Sequence, residues 1–385
     1  MKLIIGQAAT SEFYYNRKPL VDKFWSKVKN GNNILMSAPR RIGKTSLMRH
    51  FEDKQEEGYH VIYIITESVN NENEFYRKIF KRLFEELKSS QKFFQTVGNI
   101  VKQNRLSSIG ADGTFSIEAK EINYFNELRT LIKIIDLQEN KILLMIDEFA
   151  QTVENIKLDE GDQSAIHFLA SNRELRIDPM FNTKLQFVYA GSIGLENVVS
   201  LLNQMGTIND LYPFVVPPFK REEAIKYIQE IPLSECNYEF HLEQVNYLIE
   251  KIEWLIPFYI NIILDEIDEL FFEREFEKVS NKEIDNAFEN CLLKRSYFEH
   301  WHTRLRISHR SEHYNFSKKI LNSLSENGEI TSNEILNIAV GHGIVDTYKD
   351  VLNSLVYDGY ISGLNDKYHF NSPLLKEWWK RNVAN

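Results

Sequence analysis

Gly43, Lys44 and Thr45 stand between an apolar run and a stretch with helical spacing, in NILMSAPRRIGKTSLMR from Asn33 to Arg49. That arrangement can hold phosphate. Where a loop closes onto a helix start, backbone N–H groups lack intrahelical partners and point together at whatever lies above them. Lys44 adds a charge able to reach the β- and γ-phosphates of a nucleotide, and the Thr45 hydroxyl suits Mg²⁺. Gly43 lets the backbone approach without a Cβ in the way. The candidate nucleotide-binding segment is therefore Ala38, Pro39, Arg40, Arg41, Ile42, Gly43, Lys44, Thr45 and Ser46. It departs from the full pattern G-x-x-x-x-G-K-[ST] at its first position, where Ala38 replaces glycine.

A second chemical feature lies downstream, in KILLMIDEFA from Lys141 to Ala150. A continuous apolar run of this kind suits a strand covered on both faces of a parallel sheet. Two carboxylates at its C-terminal end then sit where ligands bind in open α/β sheets. Asp147 would hold Mg²⁺ through water, and Glu148 could polarise the water that attacks the γ-phosphate. A third feature is Gly191-Ser192-Ile193-Gly194, after the run LQFVYA. The residues leave two readings of Ser192 open: a hydroxyl that bonds the phosphate or the attacking water, or an ordinary turn residue.

Placing these groups requires strands that alternate with helices. Ile34 to Met36, Val61 to Ile65, the acidic run and Leu185 to Ala190 read as strands. Thr45 to His50, Asn73 to Lys88, Tyr124 to Asp136 and Asp162 to Arg176 read as helices. The expected class is α/β with a parallel sheet. Between residues 98 and 120, a turn signal at Ala111-Asp112-Gly113 between two extended stretches predicts an inserted hairpin.

Composition excludes several classes. The 385 residues carry 46 Lys and Arg against 55 Asp and Glu, a net charge of −9, which does not mark a nucleic-acid binder. Only Cys236 and Cys291 occur, so disulfide frameworks and zinc sites are not expected and a reducing cytoplasm fits. MKLIIGQAAT lacks the charged flank and length of a signal peptide. The apolar run from Trp254 to Leu264, interrupted by Pro257 and Asn261, is too short to cross a bilayer, so no membrane role is expected.

PRRIGKTSL, LLMIDEF, the strand ending AGSIGL, and LYPFVVPPFKREEA together resemble the successive motifs of the prokaryotic "archaeal ATPase" family, a branch of the AAA+/STAND P-loop ATPases. The likeness extends over most of the chain. It implies a P-loop NTPase sheet followed by a helical lid and a winged helix-turn-helix. It also implies that Ser192 is the sensor residue and that PPFKREEA opens the lid. Phe13 to Arg17 is similar to the motif before the first helix, with Asn16 for glycine, and implies that Arg17 lies near the adenine. Asn tolerates a left-handed backbone better than most residues, so that turn is expected to survive. Pro257 matches the proline of a lid sensor, but Leu255-Ile256 lacks its glycine. Expected boundaries are 1–216 for the ATPase core with the inserted hairpin, 217–305 for the lid and 306–385 for the winged helix.

Arg40, Arg41, Arg173 and Arg176 are the candidates for a transition-state arginine, with a solvated surface charge the plainer reading of each. From Asn315 the chain reads as a helix, an extended link at Glu329-Ile330, and a second helix capped by Ser332. A third helix over Asp346 to Tyr357 and a hairpin around Leu364-Asn365-Asp366 follow. The third helix sets Lys349 against Asp346, Asp350 and Asp358, and from Tyr314 onward seven Lys and Arg face eight Asp and Glu, a balance of −1. Recognition helices normally neutralise phosphates, so a protein-facing role stands level with DNA binding. The most basic stretch, Phe298 to Arg310, holds His300, His302 and His309 without partners at metal-ligand spacing. Its Trp301 makes it the better candidate for nucleic acid.

Two functions follow. One is a Mg²⁺-dependent, ATP-hydrolysing switch or motor that couples nucleotide state to a protein or nucleic-acid partner, in a defence or mobile-element setting as the resemblance implies. The other is a nucleotide-dependent binding or scaffold module, acting through oligomerisation or the winged helix, with incidental turnover. A GTPase is disfavoured because no Asn-Lys-x-Asp motif ends a strand run.

Overall fold

The computed structural model describes residues 3–89, 122–135, 137, 139–192, 194–308 and 311–384. The hairpin expected over 98–120 lies outside the described residues, as do Ile193, His309 and Arg310. The chain forms two compact units, one of Lys18–Ser37 with Leu47–Val215, the other of Met1–Arg17, Ala38–Ser46 and Val216–Asn385.

The sheet unit begins with α1 (Lys18–Lys29) and β1 (Asn33–Ser37), and takes most of α2 (Lys44–Asp53). It continues through β2 (Tyr59–Ile65), α3 (Glu72–Ser89), α4 (Tyr124–Ile134), β3 (Lys141–Asp147), α5 (Phe149–Glu160), α6 (Asp162–Ile177), α7 (Pro179–Asn182), β4 (Leu185–Ala190), α8 (Leu195–Leu201) and β5 (Leu211–Val215). The five strands pair in parallel in the order β2-β3-β4-β1-β5. Interior strands have no wet face, which is why ILLMI in β3 and nearly all of LQFVYA in β4 are apolar and buried. Gln186 is the polar exception, and its amide nitrogen donates to the Val28 and Asn32 carbonyls at 2.9 and 3.1 Å.

Register decides what the sheet can present. Ile65 pairs with Asp147, Ile146 with Tyr189, and Ala190 with Met36, so β2, β3, β4 and β1 end at one level. Among the elements that the apolar periodicity did not announce are β5 and α5. β5 contains Pro213, which cannot donate to a ladder but is tolerated on an edge strand. In α5, FAQTVENIKLDE, small and polar residues dilute the apolar stripe of Phe149, Val153 and Ile156.

The other unit contains α9 (Arg221–Glu230), α10 (Leu242–Ile252), α11 (Pro257–Arg274), α12 (Asn281–Leu293) and α13 (Arg295–Ser308). After them come α14 (Ser311–Asn327), β6 (Ile330–Thr331), α15 (Ser332–His342), α16 (Tyr348–Tyr357), β7 (Ile361–Leu364), β8 (Lys367–Phe370) and α17 (Pro373–Asn382). β6, β8 and β7 form an antiparallel sheet in that order. Helix, strand, helix, helix and hairpin follow the element order of a winged helix-turn-helix, so the expected fold class stands: a P-loop NTPase-type α/β sheet, then helices, then the wing. The wing turns through Asn365 and Asp366, both left-handed at φ 50° and 62°, as a two-residue hairpin needs. The cap of α15 is Thr331 and not Ser332, because Thr331 and Glu334 close a reciprocal capping box. No helix among the described residues is long and apolar enough to cross a membrane.

Several surface charges of the sequence reading prove to be interior. Arg176 has a side chain only 1% exposed, gripped by Asp210 at 2.7 and 2.9 Å and by the Thr207 carbonyl at 2.5 Å, and lies over the Tyr189 ring. It therefore reaches neither solvent nor a neighbouring protomer. Arg173 stays on the surface beside Asn209 and Asp210. Asp210→Ala would leave the Arg176 guanidinium buried and unpaired, and should cost about 3 kcal/mol in urea unfolding. A loss below about 1 kcal/mol would show that the pair is not holding this corner.

Candidate functional site

The loop between β1 and α2 is built by two left-handed residues, Arg41 at φ 64° and Gly43 at φ 95°, flanking Ile42, which is not left-handed. Such alternation turns successive N–H groups to one side and makes an anion concavity. At Gly43 the backbone angle, not crowding, requires glycine: a Cβ there would meet only Pro257 Cγ, at 4.0 Å. The same distance shows that Pro257, the first residue of α11, sits against the loop. Ala38 is not among the left-handed residues and is buried, so its position does not demand glycine. Lys44, Thr45 and Ser46 open α2. The Ser46 hydroxyl accepts from the Ala9 N–H at 2.9 Å, which ties down the N-terminal segment.

The arginines of the loop differ from the solvated charges expected. Arg41 lies over the Phe258 ring at 5.0 Å and donates to the Gly6 carbonyl at 3.1 Å, while its Nε is buried without a hydrogen-bond partner among the described residues. Burial lowers its pKa. Arg40 lies within electrostatic reach of His300 and Asp358. Asp358, counted above among the acidic charges of the third helix, is buried and paired with Arg304 at 3.4 Å. Pro39 has the closest structural neighbours. A Cβ on Gly359, which has φ +84°, would fall 2.9 Å from Pro39 Cβ and 2.4 Å from the Trp254 ring. Gly359 thus lets the turn between α16 and β7 close onto the loop.

Arg17, assigned to the adenine side, donates to the Pro217 and Pro218 carbonyls at 2.7 and 3.2 Å and pairs with Glu223 at 3.2 Å. It also lies over Phe219, so the motif before α1 is clamped to PPFKREEA. Asn16 is not left-handed; among nearby residues Ser11 is, which corrects the expected turn. Trp301 is fully buried and cannot stack on a nucleic acid. His302 is 3.0 Å from the Tyr314 hydroxyl, whereas both ring nitrogens of His300 are buried without hydrogen-bond partners among the described residues.

In the sheet unit, Asp147 ends β3 with 2% of its surface exposed. Its Oδ2 accepts from the Tyr63 hydroxyl at 2.9 Å and its Oδ1 from the Glu148 N–H at 3.1 Å. Burial and the Asp147 charge raise the Tyr63 pKa, so the phenol remains a donor. Glu148 is left-handed at φ 60°, a conformation costing a non-glycine residue about 1 kcal/mol. Its carboxylate accepts from the N–H and hydroxyl of Ser192, both at 2.9 Å. Behind the pair, Thr66 donates its N–H and hydroxyl to the Asp147 carbonyl at 2.9 and 3.0 Å, and the Thr152 hydroxyl donates to the Thr66 carbonyl at 2.8 Å. Tyr63, Thr66 and Thr152 were not singled out by the sequence reading. Their only signal is polar atoms in otherwise apolar segments, which does not name a partner.

The donor chemistry fits the groups expected. Mg²⁺ takes hard oxygen ligands, keeps several waters, and commonly binds through one or two protein oxygens plus phosphates. Thr45 and Asp147 offer only such oxygens. The glycine-dependent turn at Gly43 is the feature a phosphate cradle needs.

The parallel sheet with a loop of this kind after β1 defines the class of P-loop NTPase-type domains. Residues 24–191 match the model of a family described as an ATPase domain predominantly from Archaea, the kind of domain that the motifs resemble. No curated protein matches the chain. Among solved structures, a Walker-type ATPase of Pyrococcus abyssi is similar over 96% of this chain and 97% of its own, at 14% identity and TM-score 0.62. The ORC2 protein of Aeropyrum pernix, solved as ADPNP and ADP complexes, is similar over 95% and 92%, at 13% identity and TM-score 0.53. At these identities the likeness is one of fold.

His300 gives a pH test of the loop's surroundings. Burial foremost, then Arg41, Arg40 and Arg304, push its pKa down to about 3. The unfolded chain, with a histidine near 6.5, binds the extra proton first, so stability is lost as pH falls from about 6.5 toward 3. His300→Phe should flatten that slope in unfolding measured between pH 7 and 4. An unchanged slope would mean that the imidazole is not held neutral.

Proposed function

We propose that the chain is a Mg²⁺-dependent ATP-binding and ATP-hydrolysing switch whose lid and winged helix pass nucleotide state to a partner. In this reading the backbone of Ala38 to Gly43 cradles the phosphates and Lys44 reaches the β- and γ-oxygens. Thr45 and Asp147 supply oxygens for Mg²⁺, which when bound would neutralise phosphate charge. Glu148 accepts a proton from the attacking water, and Ser192 orients Glu148 or the γ-phosphate. Arg17 acts by fixing the adenine-side segment to the lid. Functional parts follow the boundaries 1–216, 217–305 and 306–385.

The observation that carries the switch reading is the packing of Gly359, in one turn of the winged helix, against both Pro39 of the phosphate loop and the lid residue Trp254. With Pro257 beside Gly43, the loop has neighbours from the lid and the wing at the positions a phosphate would perturb. A protein partner or self-association suits the winged helix better than DNA does, because its Lys and Arg do not outnumber its Asp and Glu. A defence or mobile-element setting rests on the resemblance alone. One observation favours the second reading, a nucleotide-held binding module with incidental turnover: the Glu148 carboxylate is occupied by two donors from Ser192.

Three variants separate these readings. Lys44→Ala should abolish ATP binding in calorimetry, and unchanged affinity would sink the phosphate-loop assignment. Glu148→Gln should bind ATP normally while turnover drops roughly 100-fold or more; full biological activity in that variant would favour the binding module. Gly359→Leu should alter nucleotide affinity although residue 359 lies more than three hundred positions from Lys44 in sequence. An affinity equal to wild type would remove the support for coupling through the wing.

A further inference from the structure

We propose that Tyr63 is a positioning residue that orients Asp147 for the metal and links that carboxylate to the helix bearing Lys44 and Thr45. The inference rests on the ATP and Mg²⁺ reading above and adds a residue that neither the motifs nor the family match assigns. Tyr63 lies on β2 opposite Met145, two residues before the pairing of Ile65 with Asp147, so Tyr63 and Asp147 are diagonal neighbours on one face. A long side chain spans that diagonal, and the phenol reaches Oδ2 at 2.9 Å. With the Glu148 N–H on Oδ1, each carboxylate oxygen has one donor in place and its rotation is fixed.

The other side of Tyr63 faces α2. Its ring lies 3.9 Å from the Arg49 guanidinium, and its own N–H donates to Glu52 Oε1 at 3.1 Å. Arg49 in turn pairs with Glu52 at 2.7 Å. Arg49 stands four residues after Thr45, one turn along the same helix face. A shift of α2 is therefore felt at Tyr63 twice, through its ring and its backbone, and at Asp147 through one hydroxyl. Hydrogen bonds to a metal-binding carboxylate hold its orientation and basicity, and removing such a partner typically lowers metal affinity 10- to 100-fold.

Tyr63→Phe removes only the hydroxyl and leaves the ring under Arg49. Calorimetry with ADPNP in excess EDTA measures metal-free nucleotide affinity, and titration of Mg²⁺ into protein saturated with ADPNP measures the metal. The expected result is unchanged metal-free affinity, within about twofold, with Mg²⁺ binding weakened roughly tenfold. A general loss of structure would lower both. Mg²⁺ affinity equal to wild type overturns the role of Tyr63 while leaving the ATP reading intact. A wild-type protein that binds no nucleotide overturns that reading, and the inference with it. If Tyr63→Phe loses its cooperative melting transition, Arg49→Gln carries the test: the same selective loss of Mg²⁺ affinity is expected, and its absence overturns the link to α2.

Discussion

A carboxylate at the end of an otherwise apolar, fully covered strand is the constraint around which the sheet unit is arranged. Moving Asp147 out of water costs several kcal/mol unless donors replace the lost hydration. The structure provides them from three directions: Tyr63 across the sheet, the Glu148 N–H from the next residue, and, for the backbone at the same point, Thr66. The strained αL conformation of Glu148 belongs to the same arrangement. It turns the chain sharply out of the strand and brings the second carboxylate to Ser192. Order in these groups is thus inherited from the register β2-β3-β4, in which a one-residue slip would send every side chain to the opposite face.

The phosphate loop is held by a different kind of contact. Arg41 lies on the Phe258 ring and Gly43 beside Pro257, while Gly359 packs against both Pro39 and the Trp254 ring. Close packing of this sort transmits displacement because it leaves no slack, and Gly359 is small for that reason. Arg41 shows the same economy. Its half-buried charge rests on an aromatic face and one carbonyl. A loop so bounded is suited to reporting its own shape to the lid and wing, which is the basis for the switch reading.

Much of the fold was legible because its signals are local. The apolar runs of β3 and β4, the Gly-Lys-Thr turn and the Asn-Asp turn of the wing each depend on covering a strand or on backbone angles that few residues adopt. The element list failed where a tertiary context overrode local preference. Pro213 is admitted to β5 by its edge position, and α5 has a polar composition compatible with a loop until its stripe meets the sheet. Charge was the least legible property. Arg176, Arg41 and Asp358 read as solvent-facing, yet Arg176 and Asp358 are buried against Asp210 and Arg304 and Arg41 is half-buried against Phe258, each a partner far away in sequence.

By itself the sequence determined the chemistry on offer: an anion-binding turn with a lysine and a hydroxyl, two carboxylates after a buried strand, and a small hydroxyl after another. Residue type and spacing suffice for that, because a phosphate cradle needs a particular backbone and a parallel strand needs apolar residues. Only the tertiary structure decided which groups act on those residues. Tyr63 reaches Asp147 from 84 positions away, Ser192 reaches Glu148 from 44, and Gly359 meets Pro39 across most of the chain. Such pairings arise from sheet register and helix packing, which bring distant residues together without leaving a local trace in either segment.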